Sequence, residues 1–472
     1  MAKKISTINL KKEINFFTGC AIIIGNIIGS GIFIVSKGVL EHSGTPGVTL
    51  IVWFLSGLLT LCGAYCYTEL GTLIQTSGGD YAYINESYGR LLAFLYTITI
   101  VFVVFPCITA VSGITVSSYI LHLFYEDCQA PLYLERIIAG LTICLLTVLN
   151  LYNVRLVSKI QAAFTITKIF ALVIIIFLGL YSCLSRSEFV KHKILNEWFD
   201  VKKMNLNGIG MAFYNGLFAY SGWNCLNFLT EEMKEPQKNL PRALIVAIPS
   251  ITLIYLITNI SYFLVLSPNE VLSSETVALT FSKKIMAQYA WLTPLFIAFS
   301  TFGSLSGCIL GASRAYYASA RDGNLPQCFA LICIKNYTPI TCIILQGLVS
   351  TLLLLVRDLN SLILYGVFTE TLFIAISLSS IFYFRYTRPD ANRPIKVNLI
   401  FPVLFLIVCL FLLVLTLYQF PNEVFFGLLL VISGVPIYYL TIVWKKKPKF
   451  LEKTSDQVTI FAQKIFLCIK ED

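Results

Sequence analysis

The sequence predicts an all-α membrane protein: twelve transmembrane helices in an inverted repeat, spans one to five against spans six to ten, with spans one and six broken. Three observations carry this. Of 472 residues, 57% are hydrophobic and 13% charged, a balance that soluble globular chains do not reach. Twelve apolar runs are long enough, or nearly so, to cross about 30 Å of hydrocarbon. Runs one and six each carry small and polar residues at their centre, and matching interruptions five spans apart point to two related halves.

Taken in order, span one (Phe16–Leu40) is apolar around "GNIIGSGIF", Gly25 to Phe33, with Lys37 near its outer end. Lipid offers no hydrogen bonds to a broken backbone, so a break there lines a cavity or grips a ligand. Glycines spaced four apart also serve close helix packing, and this stretch alone fits both. Span two (Gly47–Leu70) is a continuous apolar run. Span three (Leu91–Phe124) is one too, interrupted by the proline of "VVFPCI". Span four (Ile137–Leu151) is short as drawn and needs residues from its outer flank. Span five (Val157–Leu180) holds Lys168 in "FTITKIF". That charge lies too deep to snorkel easily to an interface and needs an internal partner. Span six (Gly208–Leu229) contains "NGLFAYSGWNCLNF", Asn215 to Phe228, the second break. Spans seven (Ala243–Leu266) and nine (Ile340–Val356) are apolar, and so is span eight (Trp291–Ala318) apart from Arg314. Span ten (Leu359–Phe384) holds Glu370, a carboxylate that must be paired or face a wet cavity. Spans eleven (Leu399–Tyr418) and twelve (Val424–Val443) complete the set. Residues 1–12 and 444–472 are read as cytoplasmic tails of one transporter domain, 13–443. The opening "MAKKISTINLKKE" lacks the apolar core of a cleaved signal peptide.

Lysine and arginine orient the chain, because cytoplasmic loops retain them. With both termini inside, 22 of the 35 basic residues fall in cytoplasmic segments and nine outside. The loop 185–207, placed outside with five basic residues, dissents. The net charge of +10 thus reads as a topology signal and not as a nucleic-acid footprint. Most of the fourteen cysteines lie in apolar spans, where a thiol behaves as a small hydrophobe. Cys128, between spans three and four, is plainly extracellular. A bridge to another chain, a pairing with Cys183 and a free thiol all remain open for it.

In a site built from two broken helices, helix N-terminal ends offer free N–H groups to an anion while unwound carbonyls face a cation. An α-amino acid carries one of each charge, so the breaks suit a zwitterion better than a sugar or a lipid. No enzyme chemistry competes with this reading, since His42, His122 and His192 form no base or metal motif and no metal or cofactor is expected. A channel needs rings of charges or carbonyls along a pore, which the sequence does not suggest. A transport-inactive scaffold remains the alternative.

The motifs "IIIGNIIGSGIF", "SKGVL", "TELGT", "SGGDYAYI", "FAYSGWNCLNFLTEEM", "NLPRA", "ISYFLVLSPNEVLSSETVALTF", "RPIKV" and "SGVPIYYL", in this order, resemble the light subunits of the heteromeric amino acid transporters. These form the L-type branch of the amino acid–polyamine–organocation superfamily. The resemblance runs from about Leu10 to the last span. It implies a LeuT-type fold, obligatory exchange of L-amino acids at the plasma membrane, and a disulfide to a single-span glycoprotein heavy chain, for which Cys128 stands at the family's linking position. It also implies that the Ser30 and Gly31 amides bind the substrate carboxylate, and that the Ile27, Phe218 and Ser221 carbonyls meet the α-amine. Phe218 would be the extracellular gate, although core packing is the commoner role of a membrane aromatic. Lys168 would take the place of a sodium ion, implying sodium-independent exchange.

Two departures bear on specificity. Some members of the family carry an arginine before the proline of span three, where this chain has Phe105, and others carry one in span ten, where it has Glu370. Both changes remove positive charge, which disfavours acidic substrates. Glu370 is either a structural hydrogen-bonding group or the receiver of a cationic side chain, which would extend the substrate range from neutral to cationic amino acids.

Overall fold

The computed structural model describes residues 12–125, 130–152, 154–185, 198–200, 203–274, 276–356, 359–444 and 449–470. Among these, nine helices are long and apolar enough to cross a membrane, or ten if the bent pair Phe16–Ile27 and Gly31–Ser43 counts as one span. Two further apolar helices, Ile209–Ala219 and Ile340–Leu353, are shorter. At 1.5 Å per residue, the 14 residues of Ile340–Leu353 reach only about 21 Å. The predicted outward extension of span four is present, its helix running Leu132–Tyr152.

Local chemistry explains the helix boundaries. Asn15 caps the first helix by accepting a hydrogen bond from the Thr18 amide, and Thr45 caps the helix Pro46–Leu73, with proline at its first position, where a missing N–H costs nothing. Gly44, at φ +83°, ends the helix before it, and a Cβ there would meet the Lys203 carbonyl at 2.0 Å. The helix through Arg90–His122 loosens into a π-turn over Ile100–Val104, just before Pro106. Proline cannot donate to the carbonyl four residues back, so the ladder adjusts there.

The core joins helix Pro236–Val265 to Pro46–Leu73, and helix Leu292–Arg321 to Phe105–His122. The side chains of Trp53, Tyr220 and Tyr255 meet at its centre, with ring centroids 5.2 to 6.2 Å apart. The amides of Glu13 and Ile14 donate to the Glu232 carbonyl, and the Lys234 amide donates to Ile14. The strand β1 (Leu331–Cys333) pairs antiparallel with β2 (Cys468–Lys470). The two ends of the chain are thus tied to interhelical segments, and the region read as a plain tail contains a helix, Lys449–Phe466, besides β2.

Candidate functional site

Both sequence breaks are breaks in the structure. Helix Phe16–Ile27 stops, and helix Gly31–Ser43 leaves at 50°. Helix Ile209–Ala219 stops at Tyr220, and Gly222, at φ +88°, turns the chain into a 3-10 segment, Cys225–Glu232. A side chain at that φ is strained, so glycine is required.

Other parts of the fold satisfy the groups that the breaks release. Lys168, fully buried, donates to the carbonyls of Gly25 and Ile28 at 2.7 and 2.6 Å. The partner the sequence demanded is therefore the C-terminal end of the first half-helix, where a cation also answers the helix dipole. The hydroxyl of Tyr255 donates to the Ile27 carbonyl at 3.0 Å and lies 3.3 Å from the Ala219 carbonyl, so one side chain touches the last turn of both broken helices. The Ser300 hydroxyl reaches the Gly29 carbonyl.

Between the breaks lies a cavity of about 190 Å³. Ile27, Ser30, Gly31, Phe218, Ser221 and Glu370 all line it, so six residues picked from three separate stretches of sequence converge. Lys168 stands behind the first break and is not on the wall. Gly31 has a packing role as well, because a Cβ there would meet the Ala219 Cα at 3.0 Å. Helix break and close packing therefore both apply at this glycine. The first N–H groups of a helix have no partner four residues back, and Ser30 and Gly31, at the start of helix Gly31–Ser43, line this wall.

Among the described residues the wall holds two carboxylates, Asp80 and Glu370, and no lysine, arginine or histidine. Asp80 accepts hydrogen bonds from the Tyr67 hydroxyl and the Asn224 amide. Glu370 has no hydrogen-bond or ion-pair partner among the described residues. It also borders a second cavity of about 90 Å³, walled by Tyr214, Trp223, Thr371 and Phe405, and Phe218 and Ser221 are shared with the first. The Tyr214 hydroxyl is buried without a partner beside it. Phe105 stacks edge-on against Phe228 and Tyr316, so this wall position is hydrocarbon.

Asp80, Tyr255 and Asn224 escaped the sequence reading. Asp80 sits in "SGGDYAYI", where Gly78 and Gly79, both at positive φ, turn the chain so that the carboxylate opens a helix at the cavity. Its signal was an acid directly after two glycines and before aromatics. Tyr255 gave none, being one tyrosine in an apolar run. Cys128 lies outside the described residues. Cys183 has no disulfide partner among the described residues, so its pairing with Cys128 also lies outside them.

Residues 14–445 match the amino acid permease family. Over 460 residues, 98% of this chain and 86% of the relative, the sequence is 39% identical to the human large neutral amino acids transporter small subunit 2. It is 40% identical to the mouse Asc-type amino acid transporter 1 over 456 residues, covering 97% and 86% of the two chains. Identity to the human cystine/glutamate transporter is 36% over 467 residues, 98% and 92% of the two. The chain belongs to the amino acid permease family.

Proposed function

We propose that this amino acid permease family member is the transporting light subunit of a heterodimeric amino acid exchanger. It binds its substrate between the two helix breaks and takes neutral L-amino acids, with cationic ones admitted through Glu370. The observation that carries this is the cavity itself, whose wall joins Ser30 and Gly31 at the start of one half-helix, Phe218 and Ser221 at the second break, and two carboxylates, with no basic residue among the described lining residues. An α-carboxylate fits the first and an α-ammonium the second. A side-chain anion meets only like charge, so the acidic specificity carried in the name of the cystine/glutamate relative does not transfer.

Lys168 occupies the inner side of the first break with a fixed cation, so no sodium ion is needed there, and exchange is sodium-independent. The short helices Ile209–Ala219 and Ile340–Leu353 complete a twelve-span count in this reading. The packing of the second span on the seventh and of the third on the eighth suits two inverted halves of a LeuT-type fold. Both termini face the cytoplasm of a cell whose plasma membrane holds the complex, and Cys128 links the heavy chain outside.

The test is counterflow in proteoliposomes with labelled leucine and lysine, in sodium and in choline. Uptake should require an internal amino acid and should be the same in both salts. Uptake without internal substrate indicates a channel, and no uptake with any amino acid indicates a scaffold.

A further inference from the structure

The chain continues past its last apolar helix. Val443 ends that helix, and Lys449 begins another, Lys449–Phe466. On one face of this helix Ala462 joins a small apolar cluster with Leu331, Cys468 and Ile340, and Phe466, Leu151 and Ile344 pack against it. Leu151 lies at the end of helix Leu132–Tyr152, and Ile340 opens helix Ile340–Leu353. The C-terminal helix therefore lies beside the ends of two apolar helices, at the depth where hydrocarbon gives way to headgroups. Strand β2, paired to β1, pins it from the far end.

The neighbouring face, about 100° round the helix from Ala462 and Phe466, is apolar and uncovered. Phe450, Val458, Phe461 and Ile465 are 75, 48, 64 and 53% exposed. At 3.6 residues per turn these four fall within an arc of about 80°, so they form one stripe. Exposed Lys453 and Lys464 run along one edge of it. Residues 445–472 hold seven lysines against four acids, with Lys445, Lys446, Lys447 and Lys449 crowded at the junction with the last span. A helix with an apolar stripe edged by lysines, preceded by a lysine run and joined covalently to a membrane span, matches an interfacial helix, whose binding combines buried apolar area with attraction to anionic lipid.

We infer that this helix is an interfacial anchor. The stripe Phe450, Val458, Phe461 and Ile465 lies in the acyl boundary of the leaflet on the side of the chain termini, and the lysines meet anionic headgroups there. A soluble protein partner would be an odd occupant for a stripe held at the level of the span ends, and the lysines match a lipid surface that is negative on the cytoplasmic side.

The test uses the full chain in nanodiscs of phosphatidylcholine and phosphatidylserine. A trace of either lipid carries a photoactivatable group in its acyl chain, and labelled peptides are mapped by mass spectrometry. The segment 449–466 should be labelled, several-fold more by the phosphatidylserine probe than by the phosphatidylcholine probe. In the double variant Phe461→Glu, Ile465→Glu its labelling should fall several-fold while that of helix Ile400–Gln419 stays constant, which also reports an intact fold. An unlabelled 449–466 beside a labelled Ile400–Gln419 would overturn the anchor and leave water or a protein on the stripe. Equal labelling by both probes would overturn the preference for anionic lipid.

Discussion

A single carboxylate without a partner sets the chemistry of this cavity. Glu370 is half-buried on the cavity wall, a carboxylate at that depth needs an answering group, and its neighbours Asp80 and the Tyr214 hydroxyl do not supply one. A lysine or arginine substrate side chain does. Glu370→Gln, nearly isosteric, should therefore lower lysine exchange about tenfold or more while leaving leucine exchange within about twofold, since losing one partner of a desolvated charge pair costs about 2 kcal/mol or more. The lysine-to-leucine ratio in counterflow reads this, and an equal loss of both would assign Glu370 to structure. At Cys128 the expectation is simpler. Non-reducing electrophoresis of Cys128→Ser should lose the covalent heterodimer, and its persistence would place the bridge elsewhere. Glu370 and Lys168 were legible in the sequence because a charge at membrane depth is rare enough to demand a reason. The partners of Lys168 were not, since they are backbone carbonyls that exist only once the helix has broken. Asp80 was hidden because an acid near a span end looks like ordinary loop chemistry.

At the scale of elements, the two breaks depend on donors brought in from intact helices. From helix Pro236–Val265, the single hydroxyl proton of Tyr255 bonds the Ile27 carbonyl at the end of the first broken helix and lies within reach of the Ala219 carbonyl at the end of the second. Tyr255→Phe keeps the packing and removes the donor, at a cost of roughly 1 to 3 kcal/mol for acceptors left buried. Exchange should fall at least fivefold with normal surface expression, measured as counterflow per molecule at the surface. Unchanged exchange would mean that the breaks hold without this clasp. Gly31 is a less clean probe, because a side chain there strikes Ala219 and disturbs packing along with binding. The breaks themselves could be read from sequence, since glycine, serine and asparagine clustered inside an apolar run weaken a helix and add nothing to its contact with lipid. The shortness of the helix starting at Ile340 could not, because an apolar run does not reveal where its helix stops.

Across the whole molecule, buried and partly buried ion pairs tie the ends of the helices together on the side of the termini. Arg314, almost fully buried, meets Glu232 at 2.7 Å, and Arg321 meets Glu231 at 2.8 Å, joining helix Leu292–Arg321 to the segment after the second break. Glu69 of "TELGT" receives Arg385 at 2.7 Å and Arg393 of "RPIKV" at 3.5 Å, so two motifs far apart in sequence are the two halves of one contact. Glu232→Gln leaves Arg314 buried without its counter-charge. It should cost about 3 kcal/mol or more, visible as a lower melting temperature of the detergent-purified chain, whereas an unchanged melting temperature would show that the pair is dispensable. The expected sidedness came from counting positive charge along the chain. That several of those arginines are committed to carboxylates became visible only when the helices were brought together. An amino acid lying between the two breaks is the claim on which the proposed exchange rests, and a structure of the chain with lysine bound tests it most directly. The α-carboxylate should lie within hydrogen-bonding distance of the Ser30 and Gly31 amides, with the ε-ammonium at Glu370. Lysine bound outside this cavity, or with its carboxylate toward Glu370, would contradict it.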